Sequence, residues 1–147
     1  MRALVQRVTS AEVTAGAELV GRIGPGLCAF VGVTHADTVT TAVRLAERVW
    51  GLRVFEDAAG LANLAAADVG GQVLVVSQFT LYADTSRGRR PSFVGAARPE
   101  QAEPLVDAVA GHLRSLGAVV STGRFRAEMR VALVNDGPFT VLVEVTT

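Results

Sequence analysis

The segment Ser77-Gln78-Phe79-Thr80 interrupts a hydrophobic strand pattern with polar groups that could act on a ligand. Side chains alternate along a strand, so Gln78 and Thr80 are predicted to project from the same face. Where the strand stops pairing, the main-chain N–H groups of Phe79 and Thr80 could stabilise the oxyanion of an acyl-transfer reaction. The structural alternative is a polar pair that satisfies its own hydrogen bonds at a strand end. These four residues, Ser77 to Thr80, are the candidate catalytic residues.

A second unusual segment, Asn135 to Thr140, places a glycine and a proline between two hydrophobic runs. Gly137 and Pro138 offer two main-chain carbonyl groups, and the glycine carries no side chain. A cis peptide bond, which occurs almost only before proline, would hold these carbonyl groups rigidly. This segment is predicted to recognise a ligand by shape and backbone rather than by side-chain chemistry.

The sequence lacks the usual partners of nucleophilic and metal catalysis. A nucleophilic Ser77 or Thr80 would need a base, but the two histidines, His35 and His112, are expected after a strand and on a helix surface. Cys28 is the single cysteine and is expected to be a small buried side chain. No His and Cys spacing is typical of a metal site, and no glycine-rich segment has the setting of a phosphate loop. We therefore expect no metal and no cofactor.

Arginine accounts for all fourteen basic residues, which balance fourteen acidic ones. Arg87, Arg89 and Arg90 fall in one glycine-containing loop, and residues 124–130 hold a second group. The guanidinium fork suits phosphate groups, so these loops could bind nucleic acid through a modest number of contacts. Solvated loop charge and a genome-wide coding bias explain the same composition.

The hydrophobic periodicity predicts strands and helices in an irregular order. Two helices are expected, one from an N-cap at Asp37 to about Leu52 and one from Pro99 to Gly117. Strands are expected at residues 2–9, 19–23, 27–33, 53–55, 72–80, 118–121, 125–134 and 140–146. This order argues against a doubly wound parallel sheet. We expect an α/β fold: a single compact domain over residues 1–147, in which antiparallel-rich sheets form a barrel-like core with two main helices outside.

The apolar runs are too short for membrane insertion. None reaches the ~20 residues that a membrane-spanning helix needs, and the first residues lack a signal-peptide pattern. The expected location is the cytoplasm.

Taken together, the motifs resemble those of the D-aminoacyl-tRNA deacylase family over essentially the whole chain. Members of that family hydrolyse the ester between a D-amino acid and tRNA. Five segments carry the resemblance, in the same order along the chain: Met1 to Val8, Leu52 to Asp57, Ser-Gln-x-x-Leu at 77–81, Arg-Pro-Ser-Phe at 90–93, and Asn-x-Gly-Pro-x-Thr at 135–140.

The resemblance implies a homodimer in which Gly137 and Pro138, joined by a cis bond, reach the partner subunit's active site beside Ser77 to Thr80. The partners it implies are D-aminoacyl-tRNA and glycyl-tRNA, the latter mischarged on alanine tRNA. A rigid backbone wall would exclude the β-carbon of an L-residue but could not exclude glycine. Arg87, Arg89 and Arg90 would then approach the acceptor-stem phosphates.

The mechanism remains open between two alternatives at this point. One is an oxyanion hole with help from the neighbouring ribose 2′-hydroxyl, and the other is Thr80 as a nucleophile. The loop after Gly60, which the resemblance puts near the pocket for the terminal adenosine, departs from the family pattern at Leu61, Ala62 and Ala65 and matches it at Asn63. A non-catalytic tRNA- or RNA-binding module is the alternative function; it would explain the arginines but not the Gly-Pro motif.

Overall fold

The computed structural model describes every residue from Met1 to Thr147. Eight strands, three α-helices and one 3₁₀ helix follow one another along the chain. Their order is β1 (Arg2–Ala15), β2 (Glu18–Ile23), β3 (Gly26–Gly32), α1 (Val39–Trp50), β4 (Phe55–Glu56), β5 (Ala62–Leu64), α2 (Ala66–Val69), β6 (Gln72–Ser77), the 3₁₀ helix (Phe79–Tyr82), α3 (Pro99–Ser115), β7 (Val120–Thr122) and β8 (Met129–Glu144).

Six strands form one mixed sheet in the order β2-β1-β3-β6-β7, with β8 paired along β1. The β1 pairings with β2, β3 and β8 are antiparallel, whereas β3-β6 and β6-β7 are parallel. The two ends of this order approach each other, since Ser121 Oγ on β7 donates to the Arg22 carbonyl on β2 at 3.0 Å. The sheet is therefore a nearly closed barrel.

Both faces of this sheet are hydrophobic. Successive side chains of its central strands point to opposite faces, and each face packs into a core of its own. On β3 and β6, Leu27, Val73 and Val75 belong to the larger core, which packs under α1 and α3. Their neighbours Cys28 and Leu74 point into the barrel, where a smaller core lies. The predicted α/β fold, a barrel-like core with helices outside, is confirmed.

Helix α1 begins one residue later than predicted. The N-cap is Thr38, which forms a capping box with Thr41. Asp37 was the predicted cap, but its carboxylate instead binds the Met1 ammonium at 2.7 Å and the Thr34 N–H at 2.7 Å. Helix α3 starts at Pro99, as predicted from proline's preference for the first helical turn.

Several predicted strand boundaries are wrong. The strand expected at 2–9 continues to Ala15. The strand expected at 72–80 ends at Ser77, and a 3₁₀ helix follows it. The strands expected at 125–134 and 140–146 are one continuous strand, β8, and the one expected at 53–55 is Phe55–Glu56. No helix has the length and apolar character to cross a membrane.

Candidate active site

The first candidate segment lies where β6 leaves the sheet and turns into the 3₁₀ helix. The Gln78 N–H still donates to the Val31 carbonyl of β3 at 2.7 Å, which is the last bond of that ladder. Beyond it the Leu81 N–H turns back to the Gln78 carbonyl at 3.2 Å. Gly32 makes room for this turn, because a Cβ there would lie 3.0 Å from the Gln78 carbonyl oxygen and 3.0 Å from Leu81 Cβ. The chain thus bends sharply at the residues expected to be catalytic.

Two main-chain donors at this bend have no partner within the protein. The N–H groups of Phe79 and Thr80 begin the 3₁₀ helix and donate to no acceptor. Both residues are exposed. N–H groups at the start of a helical turn point along its axis toward the open end, which is an arrangement that binds negative oxygen atoms. Gln78 and Thr80 do meet, as predicted, although through the turn rather than strand alternation: Gln78 Nε2 donates to Thr80 Oγ1 at 2.5 Å.

A cavity of about 570 Å³ opens beside this bend, at the carboxyl ends of β3 and β6. Its walls are mostly apolar, and Ser77, Gln78 and Phe79 lie among them. The aromatic part of the wall includes Phe79 and Phe93, whose rings meet edge to face with centroids 5.2 Å apart. Phe125 and Met129 contribute from the segment before and at the start of β8. The cavity can therefore hold a flat, largely apolar group next to the free N–H groups.

No side chain is placed to act as a base on Thr80. His35 binds the Val94 carbonyl at 2.7 Å, and His112 pairs with Glu47 at 3.2 Å. Neither histidine lines the cavity. Cys28 is fully buried, as predicted, and this burial raises the pKa of its thiol to about 12, so it is not a nucleophile. The site therefore offers hydrogen-bond donors rather than a conventional nucleophile and base.

The second candidate segment is an excursion from β8. Between the pairs Gln6↔Thr140 and Val8↔Asn135, β1 has one residue and β8 has four, so residues 136–139 leave the ladder. The peptide bond between Gly137 and Pro138 is cis, as expected, and both residues are exposed. The Asn135 side chain closes the excursion by donating to the Phe139 carbonyl at 3.1 Å.

Arg7, which faces the excursion from β1, was missed by our sequence reasoning. Its guanidinium donates to the carbonyls of Asp136 at 3.1 Å and Gly137 at 3.3 Å. It also lies 4.6 Å from the centroid of the Phe139 ring. A third bond, to the Val54 carbonyl at 2.6 Å, fixes the side chain within the protein.

Arg7 is only 5% exposed, which is unusual for arginine. The signal that could have revealed it is its place in the alternation of β1, where Ala3 and Val5 are buried and the next inward position is a charge. A buried arginine is expected to have acceptors, and here they are the carbonyls of Val54, Asp136 and Gly137 and the Asp136 carboxylate, whose Oδ2 lies 3.2 Å from Arg7 Nε.

The two segments do not meet within one chain. In the sheet β1 and β3 lie between β8 and β6, and only the start of β8, at Met129 and Val131, reaches the cavity. Gly137 and Pro138 are not among the residues that line the cavity. The loop after Gly60, which the resemblance puts near the pocket for the terminal adenosine, does not line the cavity either; its residues compared with the family pattern are Leu61, Ala62, Asn63 and Ala65.

The arginine loop is held at its base and free at its tip. Asp84 and Ser92 pair through two main-chain hydrogen bonds of 2.7 and 2.9 Å. Hydrogen bonds from the Ser86 side chain and N–H lower the pKa of Asp84. Between these residues, Arg87, Arg89 and Arg90 are exposed and form no hydrogen bond or ion pair; the full set of ion pairs involves other arginines. Three guanidinium groups are therefore available to a ligand.

Comparison with known proteins identifies the family. The family model for D-Tyr-tRNA(Tyr) deacylase matches residues 4–144. A D-aminoacyl-tRNA deacylase of Roseiflexus sp. (strain RS-1) is 60% identical over 144 residues, which covers 98% of this chain and 93% of the relative. The relative of the same name from Nocardia farcinica is 58% identical and covers 98% of this chain and 99% of its own length.

Two solved structures share the fold. One, described as c-Myc DNA unwinding element binding protein, superposes with a TM-score of 0.94 at 37% identity over the full length of both chains. Another, described as a probable eukaryotic D-amino acid tRNA deacylase, has a TM-score of 0.85 at 14% identity over 98% of each chain and shows the fold alone. With a family model that spans nearly all of its length and relatives above half identity, the chain belongs to the D-aminoacyl-tRNA deacylase family and is an ester hydrolase of that family.

Proposed function

We propose that this enzyme hydrolyses D-aminoacyl-tRNA and glycyl-tRNA mischarged on alanine tRNA, and rejects L-aminoacyl-tRNA. The observation that carries this proposal is the pair of free N–H groups of Phe79 and Thr80 at the edge of the cavity. The ester carbonyl binds these donors, and the terminal adenosine of tRNA occupies the apolar cavity. Since aminoacyl-tRNA is used in translation, the enzyme acts in the cytoplasm.

Stabilisation of the oxyanion supplies the main catalytic effect. As water attacks the ester, the carbonyl oxygen becomes negative and its bonds to the two N–H groups strengthen. The adjacent ribose 2′-hydroxyl orients the water, because no protein base lies beside the bend. Thr80 as a nucleophile is the alternative, but its hydroxyl accepts a bond from Gln78 and has no base to receive its proton.

Two substitutions at Phe79 together separate the effect of its N–H group from that of its ring. Phe79→Pro removes both, and proline suits a residue that starts a helical turn; Gln78 before it, with a φ of −146° and a ψ of 82°, lies outside the helical region that a following proline disfavours. Loss of one oxyanion donor is expected to lower kcat by about 10²–10³-fold. Phe79→Ala removes only the ring and is the matched control. Equal kcat values for the two variants would contradict the oxyanion hole.

Thr80→Val tests the alternative mechanism. It keeps the main-chain N–H group and deletes the hydroxyl, so the proposed mechanism predicts a fall in kcat of less than about tenfold. A nucleophile is indispensable, and its removal costs on the order of 10⁴-fold or more. A loss of that size, with the fold retained, would instead establish Thr80 as the nucleophile.

Gly137 and Pro138 of the partner subunit form the chirality wall in this proposal. Neither residue lines the cavity of its own chain, which supports a site built from two chains. The outer edge of β8 is unpaired, and the strand exposes Val134 and Leu142 at 56% and 57%. Long exposed strand edges and apolar patches are typical of association surfaces. The wall carries carbonyl groups for the substrate amine and leaves no space for the β-carbon of an L-residue.

Mixing two inactive variants tests whether each site uses two chains. Gly137→Ala should fold normally, because the added Cβ meets only Asn135 Oδ1 at 3.7 Å, yet it fills the partner's site. Combined with Phe79→Pro in exchanged dimers, it should restore activity, because one of the two composite sites is then wild type. No restoration in demonstrably mixed dimers would refute the shared site.

The three free arginines of the loop bind the acceptor-stem phosphates in this proposal. Replacing Arg87, Arg89 and Arg90 with glutamine should weaken tRNA binding and reduce the slope of log affinity against log salt by about 0.9 for each duplex phosphate that is no longer neutralised. Arg44→Gln, Arg48→Gln and Arg114→Gln together provide a control of equal charge elsewhere. An unchanged slope in the loop variant would refute this binding role.

The substrate assay distinguishes the proposal from its alternative. D-tyrosyl-tRNA, L-tyrosyl-tRNA and glycyl-tRNA are incubated separately with the enzyme, and deacylation is followed. Hydrolysis of the D-form and the glycyl form alone is expected. Hydrolysis of the L-form would refute the chirality wall, and binding without hydrolysis of any substrate would favour a non-catalytic RNA-binding module.

A further inference from the structure

The turn Arg124–Ala127 at the cavity rim carries an arginine where backbone geometry favours glycine. The Ala127 N–H donates to the Arg124 carbonyl at 3.2 Å, which closes the turn. At its third position Arg126 has a φ of 64°, and it is the only residue other than glycine with a positive φ in the protein. A turn with a left-handed third residue is of type II, in which that position is normally glycine or asparagine. Backbone strain of this kind is concentrated at functional sites.

No interaction within the chain accounts for the Arg126 side chain. It is exposed and takes part in none of the hydrogen bonds or ion pairs of the protein. Its neighbour Arg124 differs, because it donates to Glu18 at 2.9 Å. Arg126 nevertheless lines the cavity, between Phe125 and Ala127, and it is the only charged residue that does so. A strained, unpaired cation thus stands at the mouth of an apolar cavity.

The substrate offers one anionic group near such a position. In the proposed site the cationic amino group of the aminoacyl ester binds the carbonyl groups of the partner's wall, so it is not the group that a guanidinium at this rim would bind. With the ester at Phe79 and Thr80 and the nucleoside in the cavity, the phosphate that links this nucleoside to the rest of tRNA is the next charge. Arginine binds phosphate through two parallel N–H donors.

We propose that Arg126 binds the 5′-phosphate of the terminal nucleotide and so determines the preference of the enzyme for a nucleotide ester over a nucleoside ester. This inference rests on the proposed function. Arg126 lies outside both the oxyanion-binding bend and the chirality wall. Phosphate binding would explain why the strained turn Arg124–Ala127 carries an arginine.

Two small substrates isolate this phosphate. They are the D-tyrosyl ester of adenosine and the D-tyrosyl ester of adenosine 5′-monophosphate, which differ only in that group. The wild-type enzyme is expected to show roughly tenfold higher kcat/KM for the nucleotide ester, the lower end of the range for a charge-assisted bond. Arg126→Gly should remove this preference, so that the ratio of the two kcat/KM values falls to about one.

Three comparisons exclude a merely structural effect. Arg126→Gly suits the left-handed position, so its thermal midpoint should not fall below that of the wild type. Arg126→Lys keeps the charge and should retain part of the preference. Arg130→Gln removes an exposed cation on β8 that does not line the cavity, and should leave the preference intact.

Binding of deacylated tRNA provides a readout that does not depend on hydrolysis. Because the terminal nucleotides are single-stranded, Arg126→Gly should reduce the slope of log affinity against log salt by about 0.7. An unchanged slope, or an unchanged preference for the nucleotide ester, would overturn the role of Arg126. Failure of the wild-type enzyme to hydrolyse any D-aminoacyl ester would instead overturn the proposed function.

Discussion

Replacing Arg7 with lysine tests whether a buried guanidinium fixes the Gly-Pro segment and thereby the activity. Arg7 donates to three main-chain carbonyls, those of Val54, Asp136 and Gly137, at 2.6, 3.1 and 3.3 Å. It also stacks on the Phe139 ring at 4.6 Å. A lysine ammonium is a point charge on a flexible stem and cannot reproduce this fork. Arg7→Lys is therefore expected to keep the charge and release the excursion.

The size of the effect follows from the hydrogen bonds that lysine cannot form. A hydrogen bond to a charged group contributes about 1.5–3 kcal/mol. Lysine can form one of the three bonds, and water replaces a second at the exposed end of the segment, so the net loss is about one bond. We expect the free energy of unfolding to fall by about 2 kcal/mol, of a total of about 5–15 kcal/mol. For a chain of this length that lowers the thermal midpoint by about 7 °C. A displacement of ~1 Å in a positioning group can cost about 10²-fold in rate, so kcat/KM for D-tyrosyl-tRNA should fall about 10–100-fold.

The assay combines thermal unfolding with deacylation measured well below the transition. Arg22→Lys is the matched control: this arginine is also on the sheet, but its side chain is 66% exposed and pairs with Glu12 on the surface. Its replacement should change stability by less than about 0.5 kcal/mol and leave activity unchanged. If Arg7→Lys lowers stability without lowering kcat/KM, the link between this side chain and the site is refuted.

The remaining predictions concern Gly32, Gly111 and Cys28. Gly32→Ala forces the 3₁₀ turn to shift, because its Cβ would lie 3.0 Å from the Gln78 carbonyl, and should lower kcat/KM at least about tenfold; wild-type activity would contradict this. Gly111→Ala adds a Cβ in open space on α3 and should stabilise the protein by about 0.5–1 kcal/mol, seen as a higher thermal midpoint. Burial raises the Cys28 pKa from 9.0 to about 12, so a thiol reagent at about pH 8 should modify only the unfolded protein. The unfolded thiol releases its proton first, so the free energy of unfolding should fall from about pH 9 to 12, and less steeply in Cys28→Ala.

The candidate catalytic segment, Ser77 to Thr80, shows how a sequence pattern can predict a correct pairing of side chains for the wrong reason. Alternation along a strand placed Gln78 and Thr80 on one face, and they do form a hydrogen bond. The strand nevertheless ends at Ser77, and the hydrogen bond arises in a 3₁₀ turn. Phe79 to Tyr82 have residue types that favour strands, so local preference extends the strand. The space provided by Gly32, 45 positions earlier than Ser77, permits the turn.

The continuity of β8 was missed for a related reason. Gly137 and Pro138 are typical of a break between strands, and two strands were predicted on either side of them. In the structure β1 pairs with both sides and carries the strand across the excursion. A long partner strand therefore overrides the local signal for a turn.

By itself, the sequence determined the chemistry available: hydrophobic strands, two main helices, a backbone-rich Gly-Pro segment, and no histidine expected beside a hydroxyl nucleophile. Periods of two and of 3.6 residues and the residue types of turns are local, and short windows contain them. Only the tertiary structure decided that Arg7 fastens residues 136–139, that the Phe79 and Thr80 donors stay free, and that Arg126 stands at the cavity rim. Those facts depend on which distant strands pair and on where the pairing ends. The pairing of β1 with β8 joins residues more than a hundred positions apart, and no local pattern specifies such a pairing.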